Sequence, residues 1–108
     1  MDTSTIRNII SVREATDNEW QEAIDKCWLA LTDALTEDIK VTRKFLLEDC
    51  TANEASWISE VYDDVIERTQ SHEYVELFRK SIERFPEEAK KYHLAENLDL
   101  AVSSMLRD

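Results

Sequence analysis

The chain of 108 residues contains no glycine and a single proline, Pro86. Hairpin turns and sharp corners between strands usually need residues that tolerate a positive φ, and glycine tolerates it most readily. Helices joined by short polar caps need few such positions. The absence of glycine therefore predicts an all-α fold. It also excludes the glycine-rich phosphate loops of P-loop and dinucleotide-binding proteins.

Two capping boxes mark the clearest helices. Thr51 and Glu54 precede a long amphipathic helix that ends near residue 70, and Thr16 and Glu19 precede an earlier one. The boxes lie 35 residues apart, but the apolar positions that follow them do not match, so the chain is not a helical repeat. The apolar stripe predicted for the earlier helix consists of Trp20, Ile24, Cys27, Trp28, Leu31 and Leu35.

Weaker signals place the remaining helices. Thr36 is the predicted cap of a short third helix, Ser71 that of a helix reaching residue 85, and Pro86 fits the first turn of the next. A short first helix is expected around residues 6–10, and a last one ends near residue 106. At this length we expect one domain, residues 1–108, with six or seven helices in a bundle or a short stack of antiparallel helical hairpins.

Composition limits the partners and the location. The net charge of -11 disfavours direct nucleic-acid binding, which depends on Lys and Arg neutralising phosphates. No apolar run resembles a signal peptide or approaches the length of a membrane span. We therefore expect a cytoplasmic protein that does not enter membranes, with Cys27 and Cys50 as reduced thiols and Cys27 in the core.

The negative charge is concentrated in residues 51–76, which carry seven acidic residues and one basic residue. A helical projection places Glu60, Asp63, Asp64 and Glu67 on one face, opposite the apolar stripe. Their four like-charge pairs at helical spacing cost about 1 to 2 kcal/mol in total. Two interpretations remain open: a solvated face, or a face whose counter-charges come from a cationic partner.

Two tyrosines flank these acids. Tyr62 and Tyr74 are predicted to be partly exposed contact residues, because tyrosine is favoured as an interface anchor. Together with Glu60, Asp63, Asp64 and Glu67 they form the predicted partner-binding site.

Catalytic and metal-binding patterns receive no support. His72 and His93 lack the glutamate three residues earlier that a di-metal carboxylate bundle needs. Acid–base catalysis by two carboxylates needs environments that separate their pKa values, and one exposed helix face does not provide such environments. We therefore expect no catalytic residue, no metal ion and no cofactor.

Residues from about 51 to 106 resemble the small helical immunity proteins of bacterial polymorphic-toxin and contact-dependent growth inhibition systems. The resemblance lies in "WISEVYDDVIERTQSHEYVELFRKSIERFPEEAKKYHL", with its Trp-x-x-Glu-Val-Tyr helix, its Thr-Gln-Ser turn, a helix ending in "RFPEE" and a lysine-rich short helix. It implies a protein without enzymatic activity that binds and neutralises one cognate toxin. If that toxin is a basic nuclease, the acidic face imitates the phosphate backbone.

Other functions compete with this one. An acidic regulatory adaptor or nucleic-acid mimic that binds a basic cellular protein would carry the same face. A small enzyme, a metal carrier and a subunit of a homo-oligomer are further alternatives. For an immunity protein, the toxin contact could also be made by the first helices.

Overall fold

The computed structural model describes residues 3–107, and helices account for nearly all of them. In order they are α1 (Thr3–Ala15), α2 (Gln21–Glu37), α3 (Ile39–Lys44), a π-helical turn (Phe45–Asp49), α4 (Ala52–Ile58), a 3₁₀ turn (Ser59–Val61), α5 (Tyr62–Thr69), α6 (His72–Arg84), α7 (Pro86–Tyr92) and α8 (Leu94–Met105).

Two of these helices continue directly into the short turns. If residues 39–49 and 52–69 are each counted as one helix, residues 3–107 form seven helices and no strand. The predicted all-α fold with six or seven helices is confirmed. Pairs of helices adjacent in sequence, such as α1 with α2, pack against each other, and α8 closes the structure against α5 and α6.

Three predicted helix starts are confirmed. The Thr51 hydroxyl accepts a hydrogen bond from the Glu54 backbone N–H at 3.1 Å, and the Glu54 carboxylate accepts one from the Thr51 N–H at 2.9 Å. Ser71 caps α6 through the backbone N–H of Tyr74. Pro86 occupies the first turn of α7, where its missing N–H breaks no helical bond.

The predicted capping box at Thr16 is wrong. The Thr16 hydroxyl donates to the Val12 carbonyl at 2.6 Å and so belongs to the end of α1. A turn built on Asp17 follows, and α2 begins only at Gln21. Trp20 therefore precedes the helix, the helical spacing does not apply to it, and its side chain is 64% exposed instead of lying in the core.

The predicted cap at Thr36 is also wrong. Thr36 lies inside α2, and its hydroxyl donates to the Thr32 carbonyl at 2.8 Å. Asp38 is the actual cap of α3, because its carboxylate accepts a hydrogen bond from the Lys40 N–H at 2.9 Å. Both errors come from hydroxyl residues that bond backward to the preceding turn instead of forward to the next helix.

Left-handed residues end two helices. Gln70 after α5 has φ 49° and His93 after α7 has φ 56°, a conformation that glycine adopts without steric cost. The Gln70 side chain compensates by donating to the Met105 carbonyl at 2.7 Å, which ties the end of α5 to the end of α8. The chain thus forms tight helix ends without glycine.

One cluster of buried apolar side chains joins α1, α2, the π-helical turn, α4, α5, α6 and α8. Phe45, Phe78 and Leu98 lie fully inside it, whereas α7 has no buried residue. Cys27 is buried, as predicted, and both Cys27 and Cys50 are free thiols.

Two ion pairs fasten α1 to the helix that follows residue 51. Arg7 donates to both carboxylate oxygens of Glu54, at 2.6 and 3.0 Å, and Arg13 does the same to Glu60, at 2.8 and 3.0 Å. In each pair the partners are 47 residues apart, so the two bridges lie in the same register along the helices. Bidentate pairing of this kind fixes orientation as well as distance.

Candidate functional site

Glu60 does not belong to an open acidic face. Its carboxylate accepts two hydrogen bonds from Arg13 and one from the indole N–H of Trp28, at 3.0 Å. Arg13 itself is only 5% exposed and lies over the Trp57 ring, 4.8 Å from the ring centroid. Glu60 is therefore the counter-charge of a buried arginine, which corrects the prediction that it shares an exposed face with the other three acids.

Asp63 faces a different neighbour from the acids that follow it. It is partly buried and lines a shallow depression of about 260 Å³ together with residues of α8, among them Asn97 and Leu100. Its Oδ1 accepts a hydrogen bond from the Asp64 backbone N–H at 3.0 Å. Asp63 thus lies on the α8 side of α5.

Asp64 and Glu67 lie on the other side, facing α2. They line a groove of about 340 Å³ whose opposite wall is one face of α2. We call this depression the acidic groove. Its lining residues are Asp25, Trp28, Leu29, Thr32, Asp64, Glu67 and Arg68.

The acidic groove has three carboxylates and one guanidinium among its described lining residues. That guanidinium, Arg68, is already bound to Asp33 at 2.5 Å and to the Thr36 hydroxyl at 3.3 Å. Within residues 3–107, the one ion pair of Glu67 is a long one with Arg107, whose Nη2 lies 3.9 Å away on the exposed surface. Negative charge in the groove is therefore only partly neutralised.

Asp64 shows the electrostatic consequence. Burial raises the pKa of its carboxyl group, and the nearby charges of Asp63 and Glu67 raise it further, while Arg68 lowers it in part. The ionised form of Asp64 is thus less favourable in the folded protein than in water. A cation placed in the groove would relieve this penalty.

Both tyrosines predicted to be partly exposed are buried instead. The Tyr62 ring packs against Phe78 with centroids 4.6 Å apart, and burial raises the pKa of its hydroxyl. The Tyr74 hydroxyl donates to the Leu35 carbonyl at 2.7 Å. The expected exposure of Tyr62 and Tyr74 is therefore wrong, and their side chains act in the core.

The sequence interpretation missed the α2 wall of the groove. Asp25, Leu29 and Thr32 are spaced four and three residues apart, so they lie on one face of α2. Leu29 stands outside the predicted apolar stripe and is 58% exposed. An apolar residue on a polar helix face was therefore the sequence signal that could have indicated the α2 wall of the groove.

Among residues 3–107, no group of three or more His, Cys, Asp or Glu side chains is placed to hold a metal ion. None of the helices in that range is both long enough and apolar enough to cross a membrane. Comparison of the chain with protein-family models, with curated proteins and with solved structures found no match.

Proposed function

We propose that this protein binds a cognate toxin domain in the cytosol and neutralises it by protein–protein contact. The small helical immunity proteins, which residues 51–106 resemble, act in this way. The acidic groove is the observation that carries the proposal. A toxin that cleaves nucleic acid must hold phosphates with Lys and Arg, so an acidic surface is complementary to its substrate groove. The protein itself needs no reaction for this role.

The charge distribution also suits rapid capture. Partly neutralised carboxylates steer a basic partner into an encounter at rates above those of neutral surfaces, and salt weakens the effect. Fast capture is useful to an inhibitor because a delivered toxin must be bound before it acts. The proposed contact therefore predicts an association rate that falls steeply with ionic strength.

A second candidate function uses the same surface. An acidic adaptor or nucleic-acid mimic would present the groove to a basic cellular protein, and the identity of the partner distinguishes the two functions.

A second surface is also available for an immunity protein. It is an apolar depression between α1 and α2, lined by Ile9, Val12 and Cys27, and Val12 is 59% exposed.

The test of the proposed function is rescue of growth. The product of the gene immediately upstream is expressed with and without this protein, and binding of the two purified proteins is measured alongside. Tight binding and restored growth are expected. If the upstream product neither binds nor inhibits growth, the immunity function is refuted, and capture of a basic cellular protein on the parent but not on a groove variant would favour the adaptor.

A Val12→Asp variant decides between the two surfaces. Val12 is exposed and belongs to the α1–α2 depression, so the new charge should leave folding intact. Contact through the acidic groove predicts unchanged rescue. Loss of rescue in a folded Val12→Asp protein would instead place the contact on α1 and α2.

A further inference from the structure

We propose that the acidic groove is a receptor site for one arginine side chain of the protein's partner. This inference rests on the proposed function for the identity of the partner. The chemistry of the ligand comes from the groove's own residues: carboxylates on both walls, an aromatic ring, and an unpaired buried hydroxyl.

The carboxylates determine the sign of the ligand. Asp25 projects from α2, and Asp64 and Glu67 project from α5, so acceptors line both walls. Asp25 accepts one hydrogen bond, from the Gln21 side chain at 2.8 Å, and forms no ion pair with residues 3–107. A ligand lying between α2 and α5 would therefore meet acceptors on two sides, and it must be a cation that can donate in more than one direction.

Thr32 is an independent sign that a ligand belongs in the groove. It is only 2% exposed, which makes it the most buried of the lining residues, and its hydroxyl oxygen has no hydrogen-bond partner within residues 3–107. Helical threonines commonly donate to the carbonyl four residues earlier, as Thr36 does here. Leaving a buried hydroxyl unpaired is unfavourable, and a donor that displaces the side chains covering it at the base of the groove would satisfy it.

Trp28 and Leu29 favour a guanidinium with an apolar stem. The Trp28 N–H is turned toward Glu60, at 3.0 Å, so its ring is what remains to line the groove. Leu29 adds an exposed aliphatic surface beside it. A guanidinium stacks on an aromatic ring while its methylene stem covers apolar surface.

Arginine fits this set better than lysine. A guanidinium offers five N–H donors in one plane and can serve carboxylates on both walls and the Thr32 hydroxyl together, whereas an ammonium is a compact point charge. The groove volume of about 340 Å³ lies at the small end of ligand sites, which span roughly 300 to 1,000 Å³. The site therefore has room for one long side chain.

The test uses small probes, so it does not require the toxin. N-acetyl-argininamide and N-acetyl-lysinamide are titrated into the full chain at equal ionic strength, and backbone and indole N–H signals are followed by NMR. We expect the arginine probe to shift signals of α2 and α5 around the groove and to bind about two- to five-fold more tightly than the lysine probe.

Two variants and one control sharpen the result. Thr32→Val keeps the shape of the side chain and removes the unpaired hydroxyl, so thermal stability should rise or stay equal while arginine affinity falls. Asp64→Asn should weaken the arginine probe by about two- to five-fold. The control is Glu83→Gln, an exposed acid of α6 outside the groove, which should change neither property.

Any one of three results would overturn the arginine site. They are equal binding of the two probes, NMR signal shifts spread over all acidic surfaces, and unchanged arginine affinity in Thr32→Val. The proposed function would then still stand if the parent protein binds the upstream product and rescues growth. Conversely, arginine binding in the groove without toxin capture would keep the site and refute the immunity function.

Discussion

Replacing Glu60 with glutamine should destabilise the protein strongly, although a sequence projection places Glu60 on a solvent-facing acidic surface. The substitution keeps the side-chain shape and leaves the buried Arg13 guanidinium without its carboxylate. Removing one partner of a buried ion pair costs about 3 to 5 kcal/mol. The Glu60 side chain keeps 27% of its exposure, which lets water compensate in part, so we expect about 3 kcal/mol.

A loss of this size is easily measured. At about 4 °C per kcal/mol for a chain of this length, the melting temperature should fall by about 12 °C. Asp64→Asn, a neutralisation four residues later, is the matched control and should leave stability equal or slightly higher at neutral pH, because the raised pKa of Asp64 reflects an unfavourable charge. Thermal and urea unfolding report both values. Equal melting temperatures for the two variants would refute the structural role of Glu60.

Three further predictions concern stability and reactivity. His93→Gly should raise the free energy of unfolding by about 0.5 to 1 kcal/mol, measured in urea, because glycine removes the steric cost of the left-handed cap and loses only a little helix-end rigidity. Burial alone would raise the pKa of Glu54, but hydrogen bonds from Arg7 and the helix cap lower it overall. The stability gained from ionised Glu54 is therefore present above its unfolded pKa and is lost as pH falls through its folded pKa, so the cost of Glu54→Gln in urea unfolding should shrink from pH 7 to pH 3. Burial raises the pKa of the Cys50 thiol, and both Cys27 and Cys50 should react with iodoacetamide only after unfolding; labelling of either in the folded protein would contradict their burial.

The parts of the fold that follow from local chemistry were predictable from the sequence. The absence of glycine predicted the all-α fold, which was confirmed. Three helix starts were confirmed as well, because each depends on residues within one helical turn: the box at Thr51, the cap at Ser71 and Pro86 in the first turn of α7. The box at Thr16 and the cap at Thr36 failed for an equally local reason. A hydroxyl can bond backward or forward, and the sequence does not state which.

The acidic face was harder to predict because it depends on what packs beside α5. A helical projection gives the angle between each residue and the apolar stripe of the same helix, and it assumes that the helix is continuous. The 3₁₀ turn at Ser59–Val61 advances about 120° per residue, so it rotates α5 by roughly 60° relative to α4. Residues 59–61 therefore change where each acid on α5 points.

Long-range neighbours decided the rest. Glu60 meets Arg13 from a helix 47 residues earlier, Asp63 faces α8, and Asp64 and Glu67 face α2. None of these neighbours is encoded in the spacing of residues 51–76. The acids of a single predicted face are thus divided between the counter-charge of a buried arginine and two separate depressions.

The central claim is that the acidic groove captures a basic partner, and the association rate with the upstream gene product tests it most directly. Stopped-flow fluorescence would compare the parent with the Asp64→Asn/Glu67→Gln double variant and with a Glu83→Gln/Glu87→Gln control that removes the same charge elsewhere, at low and high salt. We predict about a ten-fold slower association for the groove variant at low salt, a smaller difference at high salt, and a near-parental rate for the control. Equal rates for the groove variant and the control at low salt would contradict docking through this groove.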